Sequence, residues 1–381
     1  MFITTEEQED FRQAVRQMCE DKVAPRAAEC DEKAEYPWHA HEAFTSMGVM
    51  GLSFPEEYGG SGADHVTWAI CMEEIARVDA AASLIPGICD LAMTPVIRWG
   101  SHELKSRILP PICQGRAQAS YCLSEAEAGS DVASMTTRAE RDGDEYVING
   151  RKQWITNAGI SDYYVVFAKT DRSAGHRGIS AFVVEKDMPG FSVGKLEHKL
   201  GIRASPTGEV ILEDVRVPAE NLVGEEGKGF YYAMGTFDWS RPAIGAQAVG
   251  IAQGALDYSV GYMSERKTFG QQLTNYQGLQ FMVADMSMLT EAARALVYQA
   301  SAMIDTANPN LTKMASMAKC FAGDTAMKVT TDAVQLLGGY GFTKDFPVER
   351  MFRDAKITQI YEGTNQIQRM VIARKTFGNV R

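Results

Sequence analysis

The hydrophobic pattern along this 381-residue chain changes period twice, and that limits the fold more than any single motif does. Residues 1–115 read as helices. A capping box spans Thr5 to Gln8, and Phe11, Val15, Met18 and Cys19 follow at helical spacing. Pro25 marks the end or a kink of that helix, Pro37 opens the next, and Gly48 closes it. Further helical patterns cover Asp64–Arg77, Ala80–Trp99 and His102–Gln114. Residues 116–225 read as strands. Ser120–Ser124, Tyr146–Gly150, Tyr163–Ala168, Ile179–Val184 and Glu209–Leu212 are candidates, most of them rich in β-branched and aromatic residues. The turn pairs Asp142-Gly143, Asn149-Gly150 and Pro189-Gly190 lie between or beside them. Short strands with tight turns predict an antiparallel sheet or small barrel, not a parallel βαβ sheet.

Residues 226–381 are helical again. Tyr231–Lys267, interrupted by Pro242, Asn275–Thr306, Leu311–Leu337 and a helix after Glu362 predict a four-helix bundle. Gly245, Gly250 and Gly254, with alanines between them, would let the first of these approach a neighbour closely. The expected fold is mainly α with a middle β domain: helical domain, barrel-like β domain, C-terminal bundle. A cleft between sheet and bundle suits a large flat cofactor.

Composition narrows the function. Thirty-eight basic against 49 acidic residues leave a net charge of −11, which disfavours nucleic acid as a partner. Seven scattered cysteines, odd in number and without CxxC spacing, suggest neither a disulfide framework nor a metal site. Met1–Glu7 lacks the basic region and apolar run of a secretory leader, and no apolar run of membrane-spanning length is expected. The expected setting is the reducing cytoplasm.

Five motifs carry the chemistry. Ser124-Glu125-Ala126-Glu127-Ala128-Gly129-Ser130-Asp131 follows a strand, and its hydroxyls and N–H groups suit a polar ring edge or a phosphate as well as an ordinary turn. Trp154-Ile155-Thr156-Asn157 offers a stacking ring beside a hydroxyl, though Trp154 would also serve in a core. Arg266-Lys267-Thr268-Phe269-Gly270 puts cations at a helix end, fit for capping or for a pyrophosphate. Gln335-Leu336-Leu337-Gly338-Gly339-Tyr340-Gly341 has more glycines than a C-cap needs. Ile360-Tyr361-Glu362-Gly363-Thr364 sets a carboxylate at a helix start, with Thr364 as cap and Ile367, Met370 and Val371 as the buried face. The glycine-rich loop Phe54–Gly62 has no preceding strand and is not a dinucleotide fingerprint.

Together and in this order, these motifs make the chain resemble the acyl-CoA dehydrogenase family over nearly its whole length. The resemblance implies an FAD-dependent oxidation of a short- or medium-chain acyl-CoA, straight or branched, to the trans-2-enoyl-CoA, as in fatty-acid β-oxidation. It implies electron-transferring flavoprotein as acceptor and a homotetramer built as a pair of dimers. Glu362 matches the base that takes the α-proton while flavin N5 takes the β-hydride. The thioester carbonyl is polarised in the family by that glutamate's N–H and a flavin ribityl hydroxyl. Some relatives carry the base on the first bundle helix, where this chain has Ser240, which cannot act as one. Flavin-ring contacts match Tyr121, Leu123, Ser124, Gly129, Ser130, Trp154 and Thr156. Arg266, Thr268, Phe269 and Gln277 match residues reaching a neighbouring subunit's flavin, and Gln335, Gly338 and Gly339 its adenylate part. Thr364 and Gln366 match positions by the phosphates and ribose. Acyl-CoA contacts match Ser130, Phe237, Asp238, Arg241 and Gly363, the glycine making room for the thioester. Phe237 and Arg241, four apart, share a helix face.

The acyl pocket departs from the medium-chain pattern at Ser83–Ile88, with Gly87 where some relatives have glutamate; a small residue there deepens the pocket or makes room for a branch. The alternatives are a biosynthetic dehydrogenase or an oxidase acting on a carrier-protein-bound or unusual acyl thioester, and a non-catalytic assembly protein that keeps only the fold.

Overall fold

The computed structural model describes residues 4–378. Met1–Ile3 of the leader-free reading and residues 379–381 of the bundle lie outside the described residues.

Six helices form the N-terminal part: α1 Glu6–Met18, α2 Ala24–Lys33, α3 Trp38–Ser46, α4 His65–Val78, α5 Ala80–Trp99 and α6 His102–Cys113. The capping box is present, with Thr5 Oγ1 accepting from Gln8 N and Gln8 Oε1 from Thr5 N, both at 3.1 Å. Pro25 does not stop the chain. A π-helical turn over Cys19–Val23 leads into α2, where Pro25 takes a first-turn position that needs no N–H partner. By length and composition alone α5 could cross a membrane, but most of it is buried in this core.

The middle part is a curled seven-stranded sheet: β1 Ala119–Cys122, β2 Arg138–Asp142, β3 Glu145–Thr156, β4 Tyr163–Lys169, β5 Ile179–Glu185, β6 Phe191–Leu196 and β7 Thr207–Pro218. Most pairs are antiparallel, but β1 runs parallel to β4 along its length and β2 touches β4 in parallel at Arg138–Lys169, which corrects the all-antiparallel expectation. Strands β2 and β6 were not expected; both are largely exposed and lack a clear apolar alternation. On β4, Val165 and Phe167 join the helical core while Tyr164 and Val166 join a second core inside the sheet. Burial on both faces explains the unbroken apolar run.

The C-terminal part is α7 Gly229–Glu265, a small hairpin (β8 Lys267–Thr268, β9 Gln271–Gln272), α8 Gln277–Asp305, α9 Leu311–Leu337, α10 Pro347–Ala355 and α11 Asn365–Phe377. Helix α7 runs through Pro242 without interruption, because the proline removes one ladder bond and packing holds the rest. The helix after Glu362 is shorter than its three long neighbours, α10 is an addition, and the face of α11 that this chain buries is Asn365 and Gln368, not the expected apolar one; Met370 is 58% exposed.

Two helix contacts position the site. Helix α4 crosses α7 at glycines: a Cβ on Gly250 would lie 2.2 Å from Glu73 O, and one on Gly254 2.1 Å from Arg77 O. Helix α5 lies antiparallel to α7. Gln247 Nε2 donates to Ala80 O at 3.0 Å and Ser83 Oγ at 2.9 Å, Arg98 Nη1 donates to Gly235 O at 3.1 Å, and Trp99 stacks on Tyr232 at 4.5 Å. Gly250→Ala is therefore expected to destabilise the protein by about 1–3 kcal/mol through overpacking. A thermal midpoint equal to the parent's would refute the close-contact account.

Candidate active site

The turn before α11 is held from several directions. Glu362 and Gly363 both have left-handed backbone, φ 52° and 89°, and Thr364 Oγ1 caps α11 by accepting from Ile367 N at 3.3 Å. Gln368 Nε2 donates to Gly363 O at 2.9 Å and to Glu362 O at 3.3 Å. Lys319 Nζ, from α9, donates to Gly363 O at 2.8 Å and Asn365 Oδ1 at 3.0 Å. The glycine at 363 is required by its φ and by Gln368, whose Nε2 would lie 2.7 Å from an added Cβ.

The Glu362 carboxyl is enclosed by protein. Ser240 Oγ, from α7, donates to its Oε2 at 2.6 Å. Burial pushes the carboxyl up to about 7; the Ser240 hydrogen bond and the cations Lys319 and Arg241 oppose this, and Asp90 adds to it. Burial in turn lowers Lys319 to about 8. A carboxyl that titrates near neutrality and is fixed by a hydrogen bond is matched to general-base work. The neighbouring Tyr361 hydroxyl donates to Gln247 Oε1, tying the turn to the α5–α7 pair.

Phe237, Asp238 and Arg241 gather one turn away. The Arg241 guanidinium stands 5.7 Å from the Phe237 ring centre and pairs with Asp238 at 3.1 Å. It is buried, and its Nε has no partner among the described residues, so one donor remains for a ligand acceptor. Tyr121, at the end of β1, lies 5.9 Å from Phe237 between ring centres and joins sheet to bundle.

The remaining predicted residues fall into two groups. Tyr121, Leu123, Ser124 and the exposed loop residues Gly129 and Ser130 follow one another at the end of β1, and Gln153 N donates to Ser124 O at 2.9 Å, which brings Trp154 of β3 alongside. Thr156 is tied back to β1 by Ser120 Oγ, which donates to its carbonyl at 2.7 Å. A bulge in β3 between Lys152 and Ile155 gives Trp154 a φ of 65° and turns its ring outward, 60% exposed. Behind it, Lys152 Nζ donates to Leu123 O at 3.1 Å and Glu125 Oε1 at 2.8 Å; that lysine holds the Glu125 carboxyl down at about 2 against its burial. Far along the bundle, Arg266, Thr268, Gln335, Gly338 and Gly339 line a cavity of about 540 Å³ that no residue of the sheet lines. Phe269, Gln277 and Gln366 stand exposed outside it, and Thr364 is half-buried at its own turn.

These groups fit the two ends of a flavin dinucleotide. An exposed indole beside Ser124 and open-space Gly129 suits a flat polar ring. The bundle cavity joins a cation and a hydroxyl to Gly338 and Gly339, at both of which an added Cβ would meet nothing, so an anionic phosphate can approach the backbone. Ser240, dismissed as a base, proves to be the hydrogen-bond partner of Glu362. Lys319, Gln247, Gln368 and Lys152 were also missed. The available signal was a lone polar residue among small apolar ones, as at Lys319 beside Ala315, Ala318 and Ala322.

Ser240's bond favours the ionised carboxylate, so Ser240→Ala should raise the Glu362 pKa. The acid limb of the kcat/KM pH profile, near pH 7 in the parent, should move to higher pH. A limb that stays put or moves down would contradict this.

Three family models match: acyl-CoA dehydrogenase N-terminal domain over residues 5–116, middle domain over 120–215 and C-terminal domain over 227–377. The chain is 54% identical over 374 residues to a probable acyl-CoA dehydrogenase, FadE25, of Mycobacterium tuberculosis, covering 98% of this chain and 96% of that one. It is 50% identical over 377 residues to the cyclohexane-1-carbonyl-CoA dehydrogenase of Geobacter metallireducens, covering 98% of each. The solved butyryl-CoA dehydrogenase of Megasphaera elsdenii superposes with a TM-score of 0.96 at 42% identity, over 99% of this chain and 100% of that one. With all three domains matched in order and the helix–sheet–helix fold in place, the chain belongs to the acyl-CoA dehydrogenase family of FAD-dependent enzymes.

Proposed function

We propose that this enzyme oxidises a compact short- or medium-chain acyl-CoA, straight or branched, to the trans-2-enoyl-CoA, with Glu362 removing the α-proton. The observation that carries this reading is the Glu362 carboxyl itself, enclosed, held by Ser240 at 2.6 Å and raised to about 7. An α-proton of a thioester is weakly acidic, so charge must be stabilised on the carbonyl oxygen as it leaves. No described residue accepts from Glu362 N–H, which leaves that donor free for the carbonyl. Arg241 and Lys319 offset negative charge around the reacting atoms. The FAD, when bound, supplies the acceptor for the β-hydride.

Tyr121, Leu123, Ser124, Gly129, Ser130, Trp154 and Thr156 would hold the flavin ring, with Thr364 and Gln366 nearer its phosphates and ribose. Arg266, Thr268, Phe269, Gln277, Gln335, Gly338 and Gly339 would hold the other end for a second subunit. The bundle cavity is lined by no residue of the sheet, which supports a cofactor site completed between subunits and hence a homotetramer built from dimers. Ser130, Phe237, Asp238, Arg241 and Gly363 would border the acyl-CoA. Seven unpaired, buried cysteines support a reducing cytoplasmic setting, with electron-transferring flavoprotein as the acceptor.

Butyryl-, isobutyryl- or octanoyl-CoA should bleach the bound flavin in a single turnover, and reoxidation should need electron-transferring flavoprotein. No bleaching by any of the three would end the reading. Glu362→Gln should keep the yellow colour and bind acyl-CoA while kcat falls by about 10²–10⁴-fold. A near-normal rate in that variant would move the base elsewhere.

A further inference from the structure

A second carboxyl group lies in the enclosed space around Glu362. On α5, Ser83, Gly87 and Asp90 share one face at helical spacing. Ser83 bonds Gln247 of α7, and Gln247 bonds Tyr361 beside Glu362. The antiparallel pairing of α5 and α7, Ser83 against Gln247 and Arg98 against Gly235, sets Asp90 level with the turn that carries Ser240. Asp90 and Glu362 are each half-buried, and Asp90's charge reaches Glu362. Between Ser83 and Asp90, Gly87 does not leave an open pocket: an added Cβ would lie 2.9 Å from Met72 Cε, so the flexible methionine tip occupies that room.

Asp90 has one side-chain partner among the described residues, Ser53 Oγ, which donates to its Oδ1 at 2.5 Å. Of the nearby basic groups, His65 Nδ1 bonds Asp305 at 2.5 Å, Arg241 pairs with Asp238 through Nη1, and Lys319 donates to Gly363 O and Asn365. The other titratable groups facing Glu362 are the hydroxyls of Tyr121 and Tyr361, both raised by burial. Arg241 Nε is the one cationic donor here without a partner among the described residues, and Arg241 and Lys319 already act on Glu362, so Asp90 has no cation of its own.

We infer that Asp90 sets the charge of the acyl group this enzyme accepts: the cavity admits uncharged acyl chains and rejects those bearing a second carboxylate. The inference rests on the acyl-CoA reading above. Two carboxylates that act on each other in a desolvated site already resist joint ionisation. A dicarboxylic acyl group would bring a third and could enter only with an extra proton. Discrimination should therefore be strongest where Asp90 is ionised and weaken as pH falls. Burial raises the Asp90 carboxyl, so the weakening sets in above the usual aspartate range.

The test compares hexanoyl-CoA with glutaryl-CoA, similar in length and different in terminal charge, by single-turnover flavin bleaching of the holoenzyme. The parent should prefer hexanoyl-CoA by roughly 100-fold, the scale of like-charge juxtaposition. Asp90→Asn should raise the glutaryl-to-hexanoyl ratio by about tenfold or more, and Asp90→Ser, a smaller neutral group, should do the same. Asp90→Glu should keep the parent's preference. The ratio cancels any common effect on Glu362 or on folding. Comparable rates for both thioesters in the parent, or a ratio unmoved in both neutral variants, would overturn the inference. If hexanoyl-CoA itself fails to bleach the flavin, the acyl-CoA reading falls first and this inference with it.

Discussion

The near-contact of α4 with α7 at Gly250 and Gly254 is the constraint on which the rest depends. Backbone meets backbone there, with no room for a side chain. Helix α7 is thereby fixed against the N-terminal helices, and α5, which follows α4 after only one residue, is laid antiparallel along it. The junction of α5 and α7 borders the Glu362 carboxyl. Ser240, Arg241 and Gln247 of α7 and Ser83 and Asp90 of α5 all act in or near it, so the width of that space is set by glycines several turns away. Rigid scaffolding of this kind is what fixed catalytic geometry requires.

Charge in this core is handled by pairing. Glu74 pairs with Arg12 at 3.0 Å and Arg16 at 2.9 Å, and Glu73 takes Arg294 at 2.9 Å and the Tyr298 hydroxyl at 2.7 Å. These bonds tie α1, α4 and α8 together, and removing the arginines from either glutamate would strand a buried charge. Glu362, like Asp90, is handled differently. Its principal partner is a neutral hydroxyl and its cations stand off, so it is left close to neutral and able to change protonation state.

The surface tells the same story from outside. Phe269 is 99% exposed, and Trp154, Phe281 and Met288 are mostly exposed, as are Phe377 and Met370, the latter on the face of α11 that the sequence marked as buried. For a single chain this is costly apolar exposure. It is intelligible if the flavin and further subunits cover it, since Phe269 and Trp154 each sit beside one of the two separated sets of cofactor residues.

The order of domains, the long helices and the choice of Glu362 as a candidate were legible in the sequence because they rest on local signals: a 3.6-residue period, caps, turn pairs, and motifs contiguous in the chain. Leu311–Leu337 and Ala80–Trp99 were read with their true ends for that reason. What stayed hidden depends on which element lies against which. Pro242 looks like a break until packing carries α7 through it, and β1 pairs parallel to β4 because of a crossover that no strand announces. Ser240 is an unremarkable helix serine until α7 is placed beside residue 362, 122 positions later. The sequence by itself determined the chemical groups and the local backbone that presents them. The tertiary structure alone decided their electrostatic condition, because a carboxyl titrates near 7 only when distant segments remove its water and choose its hydrogen-bond partner.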